Sequence, residues 1–354
     1  MRQLESHARV LAHARGERRR EAPRTPASLN GVADAVSTLA DGARITCFDG
    51  HVWQLEQPLT PEIPLHLHLV VGEYAVLIDT GLASTYPLIG QFLDAAGVRP
   101  ADVRIIFNTH AHHDHIGSNR RVQQDTDALI AAASGAAPWI EDHARQLRQF
   151  AFHHPDIYPG TPEERAEIEG TLDGEVRVDI LLEEPTQFNL GRGVGIQVLS
   201  VPGHVEAEMA YYERSSGSLI LGDAITGTDW SFFHGHMQRS AFLSTIARMR
   251  AFAVNNRVER ALLAHYEVMD RQQFLSLLDR VEAYVTRIDQ TIIDIVRGAS
   301  DCVDLETVWR TVCERMNKQL EFRGLLTVDG HLRELTAGGV FERVRPDCYT
   351  WVGA

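Results

Sequence analysis

The sequence predicts an α/β protein: two β-sheets packed face to face with helices outside, followed by a small, mostly helical domain. Three observations predict it. Short β-type runs recur between about residues 43 and 264, in the order strands, helices, strands, helix, strand. One run, 103–108, is mostly apolar, as expected of a strand covered on both faces. After His265 the pattern changes to long amphipathic helices.

Residues 44–48 and 51–55 flank Asp49-Gly50, a hairpin turn dipeptide, and read as paired strands. Strands at 65–71 and 74–79 follow, separated by a tight turn at Gly72-Glu73. Residues 88–96 read as a helix stopped by Gly97 and Pro100. The stretch 118–172 reads as mostly helical, with a Pro- and His-rich interruption at 153–159. A second series of strands is expected at 176–182, 194–200, 208–213, 218–221 and 260–264, with a helix at 241–254 N-capped by Ser240. Asp270 then caps a long helix whose apolar face includes Phe274, Leu278, Val281 and Ile288, and Asp304 starts another. Residues 328–338 read as a short helix, and 340–343 with 349–352 as a two-stranded wing. The expected boundaries are an Arg-rich extension at 1–40, a two-sheet domain at 41–268 and a helical domain with a terminal wing at 269–354.

At 44% hydrophobic, the 354 residues suffice for a sizeable core. A net charge of −14 disfavours a long polyanion as the main partner. The four cysteines, Cys47, Cys302, Cys313 and Cys348, are scattered without a C-x-x-C pair, which suits a reducing compartment and predicts neither a disulfide framework nor a thiolate zinc site. No apolar run approaches the length of a membrane span. Residues 1–24 carry seven Arg and three Glu with no apolar stretch behind them, which is not the pattern of a secretory signal. A cytoplasmic protein is expected. Arg18, Arg19 and Arg20 read as a solvated helix leading into a loose linker.

The chemistry is concentrated in His110-Ala111-His112-His113-Asp114-His115, directly after the apolar strand. Residues two apart in extended chain share a face, so His110 and His112 turn towards one point while Asp114 and His115 reach a second. Imidazole and carboxylate are the donors that borderline divalent metals take. Without a metal, such a cluster would be costly to bury. Further donors recur at other strand ends: His204 after Val201-Pro202-Gly203, Asp223 after Leu221-Gly222, and His265 after the run 261–264.

These residues resemble the metallo-β-lactamase superfamily, whose H-x-H-x-D-H signature is matched by His110, His112, Asp114 and His115, and whose later ligands match His204, Asp223 and His265. Its Asp-Thr-Gly turn is matched by Asp79-Thr80-Gly81. The resemblance implies an αββα sandwich over roughly residues 40–268. It also implies two divalent metal ions, with His110, His112 and His204 on one, Asp114, His115 and His265 on the other, and Asp223 bridging. Zinc is expected, with iron or manganese as competitors for so oxygen-rich a site. Asp79 reads either as a turn residue or as a group that orients the site by hydrogen bonding. The bridging aspartate is similar to the glyoxalase II, lactonase and RNase Z branches. The expected activity is hydrolysis of an ester, thioester or lactone by a metal-bridging hydroxide that Asp114 helps to orient. The alternative is a phosphodiesterase or ribonuclease of the RNase Z or β-lactamase-like protein 2 type.

The insertions at about 139–170 and 224–240 are rich in aromatic and His residues, among them Phe150, Tyr158, Trp230, Phe233 and His234. They either line a pocket for an apolar acyl group or pack the insertions onto the sandwich. Residues 328–340 resemble the winged-helix appendage of proteins similar to β-lactamase-like protein 2. Residues 301–354 carry nine acidic and seven basic side chains, so nucleic acid is not an expected partner. This part is expected to be a lid or a dimerisation element, the latter implying a homodimer, and the expected partner is a small acyl substrate.

Overall fold

A computed structural model describes residues 33–39, 42–225, 227–346 and 348–352. The Arg-rich segment at 1–24 lies outside the described residues. The first sheet has eight strands in chain order, from Ala33–Thr38 at one edge to Ile180–Leu182 at the other. Its first five strands pair antiparallel and the last three join in parallel. The Asp49-Gly50 turn has positive φ at both residues, 51° and 71°, the conformation whose twist matches a two-residue hairpin. Residues 33–38, expected to be linker, pair with Arg44–Phe48 as an edge strand.

The second sheet has six strands, running from Gln187–Gly191 through Val194–Ser200, Met209–Glu213, Ser218–Leu221 and Arg260–Leu263 to Met269–Asp270. Side-chain alternation assigns its two faces. Ile196, Val198, Met209, Tyr211, Ile220 and Leu262 enter a core shared with the first sheet. Leu199, Ala210, Tyr212, Leu219, Leu221, Ala261 and Leu263 enter a second core with the helices Arg239–Asn255 and Arg271–Gly298. On the other side Tyr86–Ala95 covers the first sheet through Leu88, Ile89, Phe92 and Leu93. Helix, sheet, sheet and helix are thus stacked as the sequence predicts.

Several elements differ from expectation. The stretch 118–172 contains a strand, Leu129–Ala133, whose short alanine-rich run carries no alternation because most of it is buried. Gln187–Gly191 is a further strand not foreseen. The helix Arg239–Asn255 begins after Gln238, and Ser240 instead bonds through its N–H and hydroxyl to Glu334 Oε2. His66 and His68, which alternation places at solvent or a pocket edge, are buried.

The C-terminal part packs Arg271–Gly298, Leu305–Met316 and Phe322–Ala337 around a third core that includes Trp309, Val312 and Leu332. Asp270 caps the first helix by accepting from Gln273 N–H, and Gln273 returns the bond to Asp270 N–H. The expected two-stranded wing is a three-stranded sheet, with Cys348–Trp351 between Val303–Asp304 and Phe341–Arg345. Cys302 and Cys348 form a disulfide across this sheet, which corrects the expectation of reduced cysteines. Their separation of 46 residues leaves no spacing signal, and the pair removes the cysteine argument for a reducing compartment. Cys47 and Cys313 are buried thiols. Among the described residues, no helix is long and apolar enough to cross a membrane.

Candidate metal centre

The strand Val103–Phe107 ends at Asn108, which is clamped on every side. Its N–H donates to Ala131 O at 2.8 Å, its carbonyl accepts from Tyr211 OH at 2.7 Å, and its side chain exchanges two bonds with Asn119. The chain leaving this anchor carries His110 and His112 with ring centroids 4.4 Å apart. His112 O then accepts from the N–H groups of His115 and Ile116, closing the turn that presents Asp114 and His115.

Gly203 delivers His204. Its φ of +141° and the 2.4 Å that would separate an added Cβ from Phe242 Cα leave glycine as the unstrained choice. His204 Nδ1 bonds to Gly235 O and His265 Nδ1 to Pro64 O, each at 2.8 Å. A carbonyl only accepts, so Nδ1 carries the proton in both rings and Nε2 is left to face the site. Asp223, beyond the strand Ser218–Leu221, is held by its own N–H, which donates to Glu208 Oε1 at 2.7 Å.

All seven expected ligands converge, in the two groups that the resemblance implies. Donor atoms of His110, His112, His204 and Asp223 lie within 4.8 Å of one another, as do those of Asp114, His115 and His265. Asp223 stands between the groups. Its Oδ2 is 3.5 Å from His204 Nε2, while its Oδ1 is 3.7 Å from His115 Nε2 and 3.4 Å from His265 Nε2. Asp114 Oδ2 lies 3.3 Å from His265 Nε2. Asp79 receives Thr109 N–H on Oδ1 and Thr109 hydroxyl on Oδ2, and His115 Nδ1 lies 2.8 Å from Oδ2. It sits at φ 61°, a left-handed turn position from which its carboxylate meets all three of these groups.

Burial and the neighbouring imidazoles hold His110 and His112 well below the usual histidine range. Burial likewise brings His204 down to about 4. These rings are neutral, as ligation requires. Burial opposes the charge on Asp114 and Asp223, yet histidines around each, His115 and His265 foremost, hold both well below the carboxylate range. Burial, reinforced by the charge of Asp223, pushes Glu208 well above it.

The donor set fits divalent cations. Nε2 of His110, His112 and His115 and Oδ1 of Asp223 are buried with no hydrogen-bond partner among the described residues. Leaving so many polar atoms unsatisfied is costly unless an ion takes them.

The profile of the metallo-β-lactamase superfamily matches residues 68–252, just over half of the chain. The chain belongs to this superfamily. Among curated superfamily relatives, the hydroxyacylglutathione hydrolase of Rippkaea orientalis is 28% identical over 185 residues, covering 51% of this chain and 56% of that protein. The hydroxyacylglutathione hydrolase of Methylobacillus flagellatus is 27% identical over 211 residues, covering 59% and 60%. The chain thus spans little more than half the length of these relatives. A metallo-beta-lactamase family protein from Thermus thermophilus superposes with a TM-score of 0.68 at 16% identity, covering 85% of this chain and 99% of that one. A beta-lactamase domain protein from Burkholderia ambifaria gives 0.64 at 16% identity, covering 90% and 98%. At these identities the structures support the superfamily fold.

The two insertions divide between site and packing. Phe150 stacks on His112 with centroids 3.8 Å apart and meets Phe322 edge-on at 5.1 Å. Trp230 stacks on His234 at 4.4 Å. Phe233, by contrast, is buried in the C-terminal core, and Tyr158 packs against it. Sequence reasoning misses two residues at the centre, Glu208 and His234. Glu208 follows His204 by four residues and reads in the sequence only as the first residue of a strand. His234 stands within an aromatic run, where nothing in the sequence gives it a role.

Proposed function

We propose that the chain is a metal-dependent hydrolase of a carboxylic ester, thioester or lactone, with a thioester as the first substrate class to test. The observation that carries this is the position of Asp223, a buried carboxylate with one oxygen towards His204 and the other towards His115 and His265. His110, His112 and His204 would hold one divalent ion, Asp114, His115 and His265 the other, and Asp223 would bridge, with zinc the expected metal. Two such ions supply Lewis acidity and bring the pKa of a shared water towards neutrality.

The chain's own groups supply the rest. The carboxylate of Asp114 is close enough to His265 to be held in place, and it is the group to accept a hydrogen bond from attacking water and so orient it. Asp79 fixes the proton of His115 on Nδ1. Phe150, packed on His112, and Trp230, packed on His234, exclude water and offer apolar surface to an acyl group. The relatives named hydroxyacylglutathione hydrolase support the thioester class.

The test is hydrolysis of a panel of thioesters, esters and lactones, with a phosphodiester beside them, after chelation and after Zn2+ is restored. Zinc-dependent thioester turnover supports the reading. Turnover of the phosphodiester alone would replace it with the nuclease alternative.

A further inference from the structure

We propose that His234 is an additional protein ligand of the metal centre, bound through Nε2 beside His265 and Asp223; the inference rests on the binuclear reading above. His234 is 7% exposed, and its Nε2 is buried without a hydrogen-bond partner among the described residues. That atom lies 3.0 Å from Asp223 Oδ2 without the geometry of a hydrogen bond. Donor atoms of Asp223, His234 and His265 all lie within 4.8 Å of one another, the same closeness that defines the other two groups.

The ring is held in the manner of the expected ligands. His204, His265 and His115 each have Nδ1 occupied by an oxygen and Nε2 turned inward. His234 repeats the pattern, with Nδ1 3.3 Å from the hydroxyl of Tyr266, the residue after His265. One face of the ring is covered by Trp230, with planes 24° apart, and Trp230 is itself stacked on Tyr266 at 5.4 Å.

The loop that carries His234 is anchored from the C-terminal part of the chain. Lys318 Nζ donates to Thr228 O and Trp230 O, and Gln319 N–H donates to Ser231 O at 2.7 Å. Phe233 is sunk among the C-terminal helices, and His236 N–H donates to Thr327 Oγ1 at 3.2 Å. A histidine serving only as packing has no need of a preset orientation with an inward, unsatisfied nitrogen. With His234, one of the two ions has one protein ligand more than the other. The two ions then differ in affinity and in room for substrate.

The experiment measures metal binding on the full chain: Zn2+ affinity by chelator competition, and the visible absorption of the Co2+-loaded protein. His234→Phe keeps an aromatic ring against Trp230 while removing the nitrogen, and His112→Ala serves as reference. His234→Phe is expected to weaken one of two ions by roughly ten- to a hundredfold and to change the Co2+ spectrum. His234→Gln takes its place if the Phe variant does not fold. Wild-type affinity and an unchanged Co2+ spectrum in the His234 variant, with metal lost from His112→Ala, overturn the role of His234 alone. Unchanged metal binding in both variants overturns the binuclear reading as well.

Discussion

His115 and Asp79, 36 residues apart in the chain, meet with Nδ1 2.8 Å from Oδ2. Asp79 also takes both the N–H and the hydroxyl of Thr109, so one carboxylate orients the strand end and the imidazole together. Asparagine tolerates the left-handed backbone at this position but brings an amide donor towards groups that themselves donate. Asp79→Asn should therefore lower Zn2+ affinity by about ten- to a hundredfold with the fold retained, as read by chelator competition and circular dichroism. Unchanged affinity would reduce Asp79 to a turn residue.

Metal uptake should release protons. Although burial works against it, the charges of Asp114, Asp79 and Asp223 raise His115 well above the usual histidine range, and Asp223 with Asp114 raises His265. A proton on Nε2 must leave before that nitrogen binds a cation, so affinity rises with pH and falls as these rings are protonated. Calorimetric titrations in buffers of different ionisation enthalpy should show protons leaving as Zn2+ binds. A binding enthalpy independent of the buffer would contradict this.

Acid should loosen the sheet edge that supports His265. Glu56 is lowered to about 2, chiefly by His66, whose Nε2 lies 3.5 Å from its Oε2, against burial and with help from Arg44. His66 Nδ1 in turn bonds to Leu263 O at 2.9 Å, two residues before His265. A carboxyl whose folded pKa is depressed contributes stability in full above its unfolded pKa of about 4.5, and that contribution is lost as pH falls towards about 2. Glu56→Gln should flatten the fall in urea-unfolding stability over that window. A slope equal to wild type would rule out this source.

Asp289 joins the sandwich and the C-terminal part. It accepts from Arg239 Nε at 2.7 Å, and His331 Nδ1 lies 2.8 Å from its Oδ1 while His331 Nε2 faces His236 Nε2 at 2.8 Å. Removing one member of such a largely buried ion pair leaves its partners uncompensated, so Asp289→Ala should destabilise by roughly 2–4 kcal/mol in urea unfolding. A loss under about 0.5 kcal/mol, the scale of an ordinary surface change, would show the network to be marginal.

The sandwich is legible in the sequence because its strands are bounded by strong turns and because second-sheet strands such as Val194–Ser200 alternate between two buried faces. Leu129–Ala133 is hidden by its alanines, which carry neither periodicity nor strong strand preference. The seven expected ligands are legible because each stands at a strand end with its motif. His234 and Glu208 are not, since a loop histidine and a strand-start glutamate gain meaning only when the fold sets them beside Asp223. The Cys302–Cys348 pair is hidden for the same reason: the residues meet only when the last strand returns beside Val303–Asp304.

The proposed pair of ions at the strand ends is tested most directly by the metal content of each chain. Elemental analysis of protein loaded with Zn2+ and freed of excess should find two equivalents in the wild type and fewer in His112→Ala, with hydrolytic activity lost in the variant and its fold intact. A wild-type chain that retains no metal, or a His112→Ala variant with full metal content and full activity, would contradict it.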